Sequence, residues 1–201
     1  MSEPASLRVW LAEPLSSEAK EQVERARTLP DVVAVRVMPD AHAGERVCNG
    51  CVIASTRLVY PMAVGSDIGC GFTAAALGVA ADAFVGERGE AALRAISRAV
   101  PIIRHRGGHA PPADLDTSGL SDTALRKAAV KDGLAEHGTL GRGNHFIEIA
   151  RGEDGRAWLM VHSGSRVLGQ IVTARYLRRA GEAEALDTGE EAGRAYLNDV
   201  A

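Results

Sequence analysis

Residues 145–162, HFIEIARGEDGRAWLMVH, limit the possible folds of this chain more than any other stretch. Two apolar runs, HFIEIA and RAWLMVH, flank the turn-rich GEDG, a pattern that predicts a β-hairpin. A turn centred between Glu153 and Asp154 sets His145 directly across from His162. Cross-strand partners face the same side with Cβ atoms about 4.5–5.5 Å apart. Two imidazoles so placed suit one metal ion or two neighbouring ones, since paired ions are spaced roughly 3.5–4 Å. The bland alternative is a pair of core or hairpin-end histidines. A register slip of one residue would turn one ring away.

The flanks favour chemistry. His145 follows GTLGRGN, whose glycine-rich backbone and Asn144 amide suit a phosphate. His162 precedes SGSR, which adds two hydroxyls and an arginine at a strand end. Upstream, VGSDIGCG (residues 64–71) supplies Asp67 and Cys70 between glycines, and MPDAHAG (residues 38–44) supplies Asp40 and His42 on alternate positions. A carboxylate, a thiolate and two imidazoles fit zinc or another transition metal better than calcium or magnesium, which prefer oxygen.

Composition narrows the partners. The 201 residues carry 23 basic and 26 acidic side chains, a net charge of −3, so no global basic field draws in nucleic acid. A nucleic-acid partner would need a local patch: Arg94, Arg98, Arg104 and Arg106, or Arg166, Arg175, Arg178 and Arg179. Both sets also read as solvated helix faces. Eight aromatic residues are too few for a base-stacking platform. The N-terminus lacks a signal-peptide pattern and no apolar run reaches the roughly 18 residues of a membrane span. Three cysteines are too few for a disulfide framework, and a reducing, cytoplasmic location is expected.

The patterning is mixed, so the expected class is α+β. Strands are predicted at Leu7–Leu11 and Val32–Met38, and buried strands at Cys51–Thr56 and Thr73–Val79. Helices are predicted over Ser17–Arg27, with Ala19, Val23 and Ala26 inward, and over Glu90–Val100, with Leu93, Ile96 and Val100 as its stripe. Further helices are expected over Ser121–Glu136, ended by Gly138, and from about Leu168 to Ala180. Residues 105–120 read as a surface loop. Residues 189–201 read as a helix with Tyr196 and Leu197 inward; it stops without a cap, as a cut chain would. Cys48-Asn-Gly-Cys51 is a C-x-x-C, but no second pair follows and it enters a strand, whereas a thioredoxin motif opens a helix. His105, His109 and His137 read as surface or capping residues.

Taken together and in order, MPDAHAG, AVGSDIGCG, GTLGRGNHFIEI and VHSGSRVLG resemble the signature segments of the RtcB family of RNA-splicing ligases. The resemblance implies the RtcB-type fold, with mixed sheets around a metal site. It also implies a GTP- and manganese-dependent enzyme with two Mn²⁺ ions. Such an enzyme joins RNA ending in a 2′,3′-cyclic phosphate or 3′-phosphate to RNA with a 5′-hydroxyl, through a guanylated histidine. Asp67, Cys70, His145 and His162 match the family's metal ligands, with Cys70 bridging the ions. Asn144, His145, Phe146, Ile147 and Glu148 match its guanylate-contacting segment. Asp40 and His42 match a signature near the site, with no role assigned.

The chain departs from the family in places. Val167 replaces a usual Gly, and Cys48 and Cys51 stand where Pro and Gly are common. Family members are about twice as long, so residues 1–201 correspond to the N-terminal portion of one catalytic domain. A further metal-binding histidine and the guanylated histidine correspond to positions after residue 201. Two readings stand: a GTP-dependent RNA ligase of which this is the first half, acting on tRNA halves or cleaved RNA and open to an activating protein; or a metal-, nucleotide- or RNA-binding module without ligation. An unrelated metal-dependent phosphoesterase is a third.

Overall fold

The structure, a computed structural model, describes residues 3–103 and 116–201. His105, His109, Arg104, Arg106 and most of the expected 105–120 loop lie outside the described residues. The elements in chain order are β1 (Ser6–Val9), α1 (Ser17–Arg27), β2 (Val32–His42), β3 (Asn49–Ser55), β4 (Leu58–Val59), α2 (Pro61–Val64), β5 (Gly71–Ala80) and α3 (Glu87–Ala99). There follow α4 (Thr123–Ala128), α5 (Leu134–Glu136), β6 (Phe146–Arg151), β7 (Arg156–Ser163), α6 (Val167–Ala180), β8 (Leu186–Asp187) and α7 (Glu191–Val200). Helices and mixed sheets make the class α+β, as expected. The chain divides into two compact units: Met1–Ser66 with Thr173–Asp199 and Ala201, and Asp67–Val172 with Val200.

The first unit is built on the sheet β1-β2-β3, with β2 central, parallel to β1 and antiparallel to β3. The apolar face of α1 lies on it, so that Ala19, Val23 and Ala26 share a core with Val35, Val37 and Cys48. Ser16 starts the helix by accepting from the Ala19 amide at 3.1 Å, and Arg25 and Arg27 complement the dipole in its last turn. Asp31 turns the chain into β2 at φ 63°. Its carboxylate accepts from the Thr56 hydroxyl and from the amides of Thr56, Arg57 and Leu58, the last three at 2.9, 2.6 and 2.7 Å. These bonds hold the carboxyl down near 2, the Thr56 hydroxyl contributing most, then the Leu58 and Arg57 amides. β4 pairs antiparallel with β8, and Tyr176 and Tyr196 are fully buried with ring centroids 4.9 Å apart. Tyr196 faces inward as expected; Leu197 does not, and is exposed.

The second unit holds the sheet β5-β7-β6, antiparallel throughout. The helical stretch opens at Asp122, whose carboxylate accepts from the amides of Ala124 and Leu125 at 2.8 and 2.9 Å. It continues as α4, a π-helical turn over Ala129–Gly133, and α5. Two burial expectations fail. β5 is exposed at every position, and β3 is only half-buried. In α3 no residue is buried: of the expected stripe, Leu93 is exposed and Ile96 and Val100 are only partly covered among the described residues.

Candidate metal centre

The β6–β7 hairpin forms where expected, but its register is shifted by one. Phe146, not His145, pairs with His162, and Ile147 pairs with Val161. The reason is the turn. The Gly155 amide donates to the Gly152 carbonyl and the Gly152 amide to the Arg156 carbonyl, both at 2.9 Å, with Gly155 at φ 77°. A turn followed by a left-handed glycine is a three-residue loop with a bulge, one residue longer than a loop centred between Glu153 and Asp154 allows.

The histidines converge nevertheless. His145 lies just before β6 and is free of the pleat, so its ring need not alternate with Phe146. His162 Nε2 lies 3.4 Å from Cys70 Sγ, and His145 Nε2 lies 3.9 Å from the same sulfur. The two imidazole rings meet edge to face, with centroids 5.3 Å apart. Ligand atoms of Cys70, His145 and His162 all lie within 4.8 Å of one another, as one ion would require. Asp67 Oδ2 accepts from His145 Nε2 at 2.9 Å, joining the carboxylate to the cluster.

Local sequence explains each placement. In the SDIGC turn the Cys70 amide donates to the Asp67 carbonyl at 3.1 Å, which brings both side chains to the start of β5. The Ser165 amide donates to the Ile68 carbonyl at 3.0 Å, tying SGSR to this turn. A Cβ on Gly164 would stand 2.3 Å from Asp67 Oδ1, and one on Gly141 (φ 106°) would stand 2.3 Å from His145 Nδ1. Both glycines are therefore required by close approach. Phe72 pairs with His162 across β5–β7 and stacks on its ring, centroids 4.1 Å apart and 20° between planes. Phe146 flanks the same ring from β6 at 5.6 Å. Sequence reasoning missed Phe72, which lies just before the expected strand Thr73–Val79 and inside the observed β5.

Hydrogen bonding orients the rings. The Gly71 carbonyl can only accept, so His162 Nδ1 at 3.2 Å carries the proton and Nε2 keeps its lone pair towards Cys70. Arg166 Nη1 stands 3.4 Å from His145 Nδ1 and Asp67 Oδ2 stands 2.9 Å from Nε2, so a metal ion at Nε2 would take the place of the proton that bonds Asp67. Arg166 also lies 3.7 Å from Glu136 and is half-buried, so it is no solvated helix face. Burial, then the bond to Asp67 and the charge of Asp67, push the Cys70 thiol up to about 11. For Asp67 burial pulls upward. The bonds from Cys70 and His145, with the charges of His145 and Arg166, outweigh it and leave the carboxyl below its usual value.

The other candidate residues are placed differently. Asp40 and His42 belong to the first unit, at the end of β2, where His42 Nδ1 bonds the Asp40 carbonyl at 2.8 Å and Asn49 bonds His42 Nε2 at 3.2 Å. Asn144 is exposed in the turn before β6. Within β6, Phe146 and Glu148 share the face of His162, and Ile147 points to the other. Cys48 is buried in the first unit's core, and burial and then Cys48 push the Cys51 thiol up to about 12. Neither is set up as a nucleophile.

The family model described as "tRNA-splicing ligase RtcB" matches residues 22–121 and 113–194. The chain belongs to that family. The RNA-splicing ligase RtcB of Escherichia coli (strain K12) is 30% identical over 216 residues, covering 98% of this chain and 53% of that protein. The tRNA-splicing ligase RtcB of Methanococcus maripaludis is 27% identical, covering 84% of this chain and 45% of the relative. The RNA-splicing ligase RtcB of Mycobacterium tuberculosis is 27% identical, covering 81% and 49%. The chain thus spans about half the length of the curated relatives it matches. No helix among the described residues is long and apolar enough to cross a membrane.

Proposed function

We propose that this chain is the N-terminal, metal-holding portion of a cytoplasmic RNA ligase domain. The substrates are RNA ends carrying a 2′,3′-cyclic phosphate or 3′-phosphate and a 5′-hydroxyl, joined with GTP and Mn²⁺ through a guanylated histidine. The convergence of Cys70, His145 and His162, with Asp67 bonded to His145, carries this reading. Sulfur, two imidazole nitrogens and a carboxylate form a donor set suited to a divalent transition metal, and glycine at 164 leaves the room that Asp67 needs. By donor chemistry alone zinc fits as well as manganese; the family resemblance favours manganese. When bound, the metal supplies neutralisation of phosphate charge and alignment for in-line attack.

This chain's residues do the rest. The Gly71 carbonyl fixes the His162 tautomer, Asp67 bonds His145, and Phe72 and Phe146 both pack against the His162 ring. Asn144, His145, Phe146, Ile147 and Glu148 are assigned to the guanylate by the family resemblance; Asn144 is exposed in the turn before β6, and Phe146 and Glu148 share the His162 face of the strand. No histidine of this chain matches the guanylated one, which is assigned to the domain's second half.

The natural full-length product, incubated with radiolabelled GTP and Mn²⁺, is expected to form an acid-labile covalent guanylate and to seal RNA with a 3′-phosphate and a 5′-hydroxyl. Absence of both with bound metal leaves the alternative, a metal- or RNA-binding module without ligation. Cys70→Ala is expected to weaken Mn²⁺ binding, read by electron paramagnetic resonance, by at least about 10–100-fold, the loss typical even of outer-shell changes. Unchanged binding would remove the assigned centre.

A further inference from the structure

Beside the metal centre the second unit holds a cavity of about 510 Å³, within the size range of small-ligand sites. Leu120, Leu134 and Leu168 give it apolar walls, with Ala129 and Gly133 from the π-helical turn. Such single turns within a helix are frequent at functional sites. Ser163, Gly164, Ser165 and Arg166 line the end that adjoins the metal centre: they follow His162 directly, and Arg166 Nη1 stands 3.4 Å from His145 Nδ1. Two features of that end point to a ligand. The Ser165 hydroxyl is buried and has no hydrogen-bond partner among the described residues. Buried polar groups are nearly always bonded, and each exception asks for a reason. Arg166, at φ 57°, holds a left-handed conformation that a non-glycine residue adopts at a cost, and such strain gathers at ligand sites. Thr139, by contrast, is satisfied: its hydroxyl donates to the Glu136 carbonyl at 2.6 Å and accepts from Arg166 Nε at 3.4 Å. None of residues 144–148, the segment assigned to the guanylate, lines this cavity.

We propose that this cavity receives the base of the terminal nucleotide at the phosphate-bearing RNA end, while the phosphate lies at the metal centre. The inference rests on the RNA-end reading given above and adds the place where that end is gripped. Apolar walls meeting one unpaired hydroxyl suit the flat apolar face and polar edge of a base. The segment from Ser163 to Arg166 joins the two sites, so a ligand in the cavity is held next to the metal ligands. The volume exceeds that of any single base, and a hydroxyl that both donates and accepts does not choose between base edges. Purine and pyrimidine ends are therefore both expected to be taken.

The test is titration calorimetry of the natural full-length product, loaded with Mn²⁺ and without GTP, against two trinucleotide RNAs that end in a 3′-phosphate. One is intact and the other lacks the base of its last nucleotide. The intact RNA is expected to bind about tenfold or more tightly, whether that base is adenine or uracil. Leu134→Trp, which fills the cavity, is expected to abolish the difference by weakening the intact RNA alone. Ser165→Ala deletes only the unpaired hydroxyl and is expected to narrow the difference about threefold. This second variant decides the matter if the first does not fold, as circular dichroism and Mn²⁺ affinity would read. Equal affinity for the two RNAs, no binding of either, or variants that weaken both alike would overturn the subsite. Binding is measured here without sealing. Failure of the full-length product to ligate would therefore overturn the function proposed above and leave this comparison standing.

Discussion

At Asp31 one side chain does the work of a turn. Four bonds to its carboxylate hold the left-handed backbone at φ 63°, and an Asp can occupy that region because its short side chain closes such local bonds. Its carboxyl is lowered in the folded chain, so the contribution to stability is complete above the ordinary value of 3.8 and is lost as the pH falls towards 2. Asp31→Asn is expected to lower the thermal midpoint at pH 6 and to converge with the parent near pH 2, as scanning calorimetry would read. The metal centre also gains with rising pH, but in a higher range. Cys70, held up at about 11, must lose its proton to bind an ion, so Mn²⁺ affinity should rise between pH 6 and pH 8. The expected gain is up to roughly tenfold per pH unit for each proton displaced, measurable by calorimetric titration. Gly164→Ala should reduce that affinity about tenfold or more, because the added methyl takes the place of Asp67 Oδ1. Unaltered affinity would show that Asp67 is not needed in its present position.

At the scale of elements, caps and stripes behave as local chemistry dictates wherever a partner is present. Ser16 and Asp122 each satisfy first-turn amides, and Ser16→Ala or Asp122→Ala should cost about 1 kcal/mol in denaturant unfolding. Leu125, buried at 1% exposure in α4, should cost about 2–5 kcal/mol on truncation to alanine. The helix α1 was legible over Ser17–Arg27, since the Ala19–Val23–Ala26 spacing and the stop at Pro30 act within a few residues; its Ser16 cap was seen only in the structure. The hairpin was legible as a hairpin but not in register, because GEDG accommodates either loop length and only Gly155's left-handed turn selects one. β5 and α3 were legible as elements and misjudged in burial. An apolar run states that a segment seeks cover, and not whether this chain supplies it.

Over the whole molecule the two units differ in how far they are closed. The first has a packed core between α1 and the β2 sheet; the second has a sheet whose apolar residues are largely open. Hydrogen exchange should register this directly. Amides of Val35 and Val37 are expected to exchange slowly and those on the outer edge of β5 at least tenfold faster. Equal protection of both strands would contradict the exposed edge.

The amino-acid sequence alone determined the mixed α+β class, the helix α1, the hairpin and the candidate residues for a metal site, because each depends on short-range spacing and donor chemistry. Tertiary structure decided which of these residues meet. It brought His145 to Cys70 from outside the strand despite the shifted register, left Asp40 and His42 in the other unit, and turned Ile147 away from the face that Phe146 and Glu148 share. It also decided what stays uncovered. These outcomes depend on contacts between segments tens of residues apart, which a periodicity along the chain does not encode.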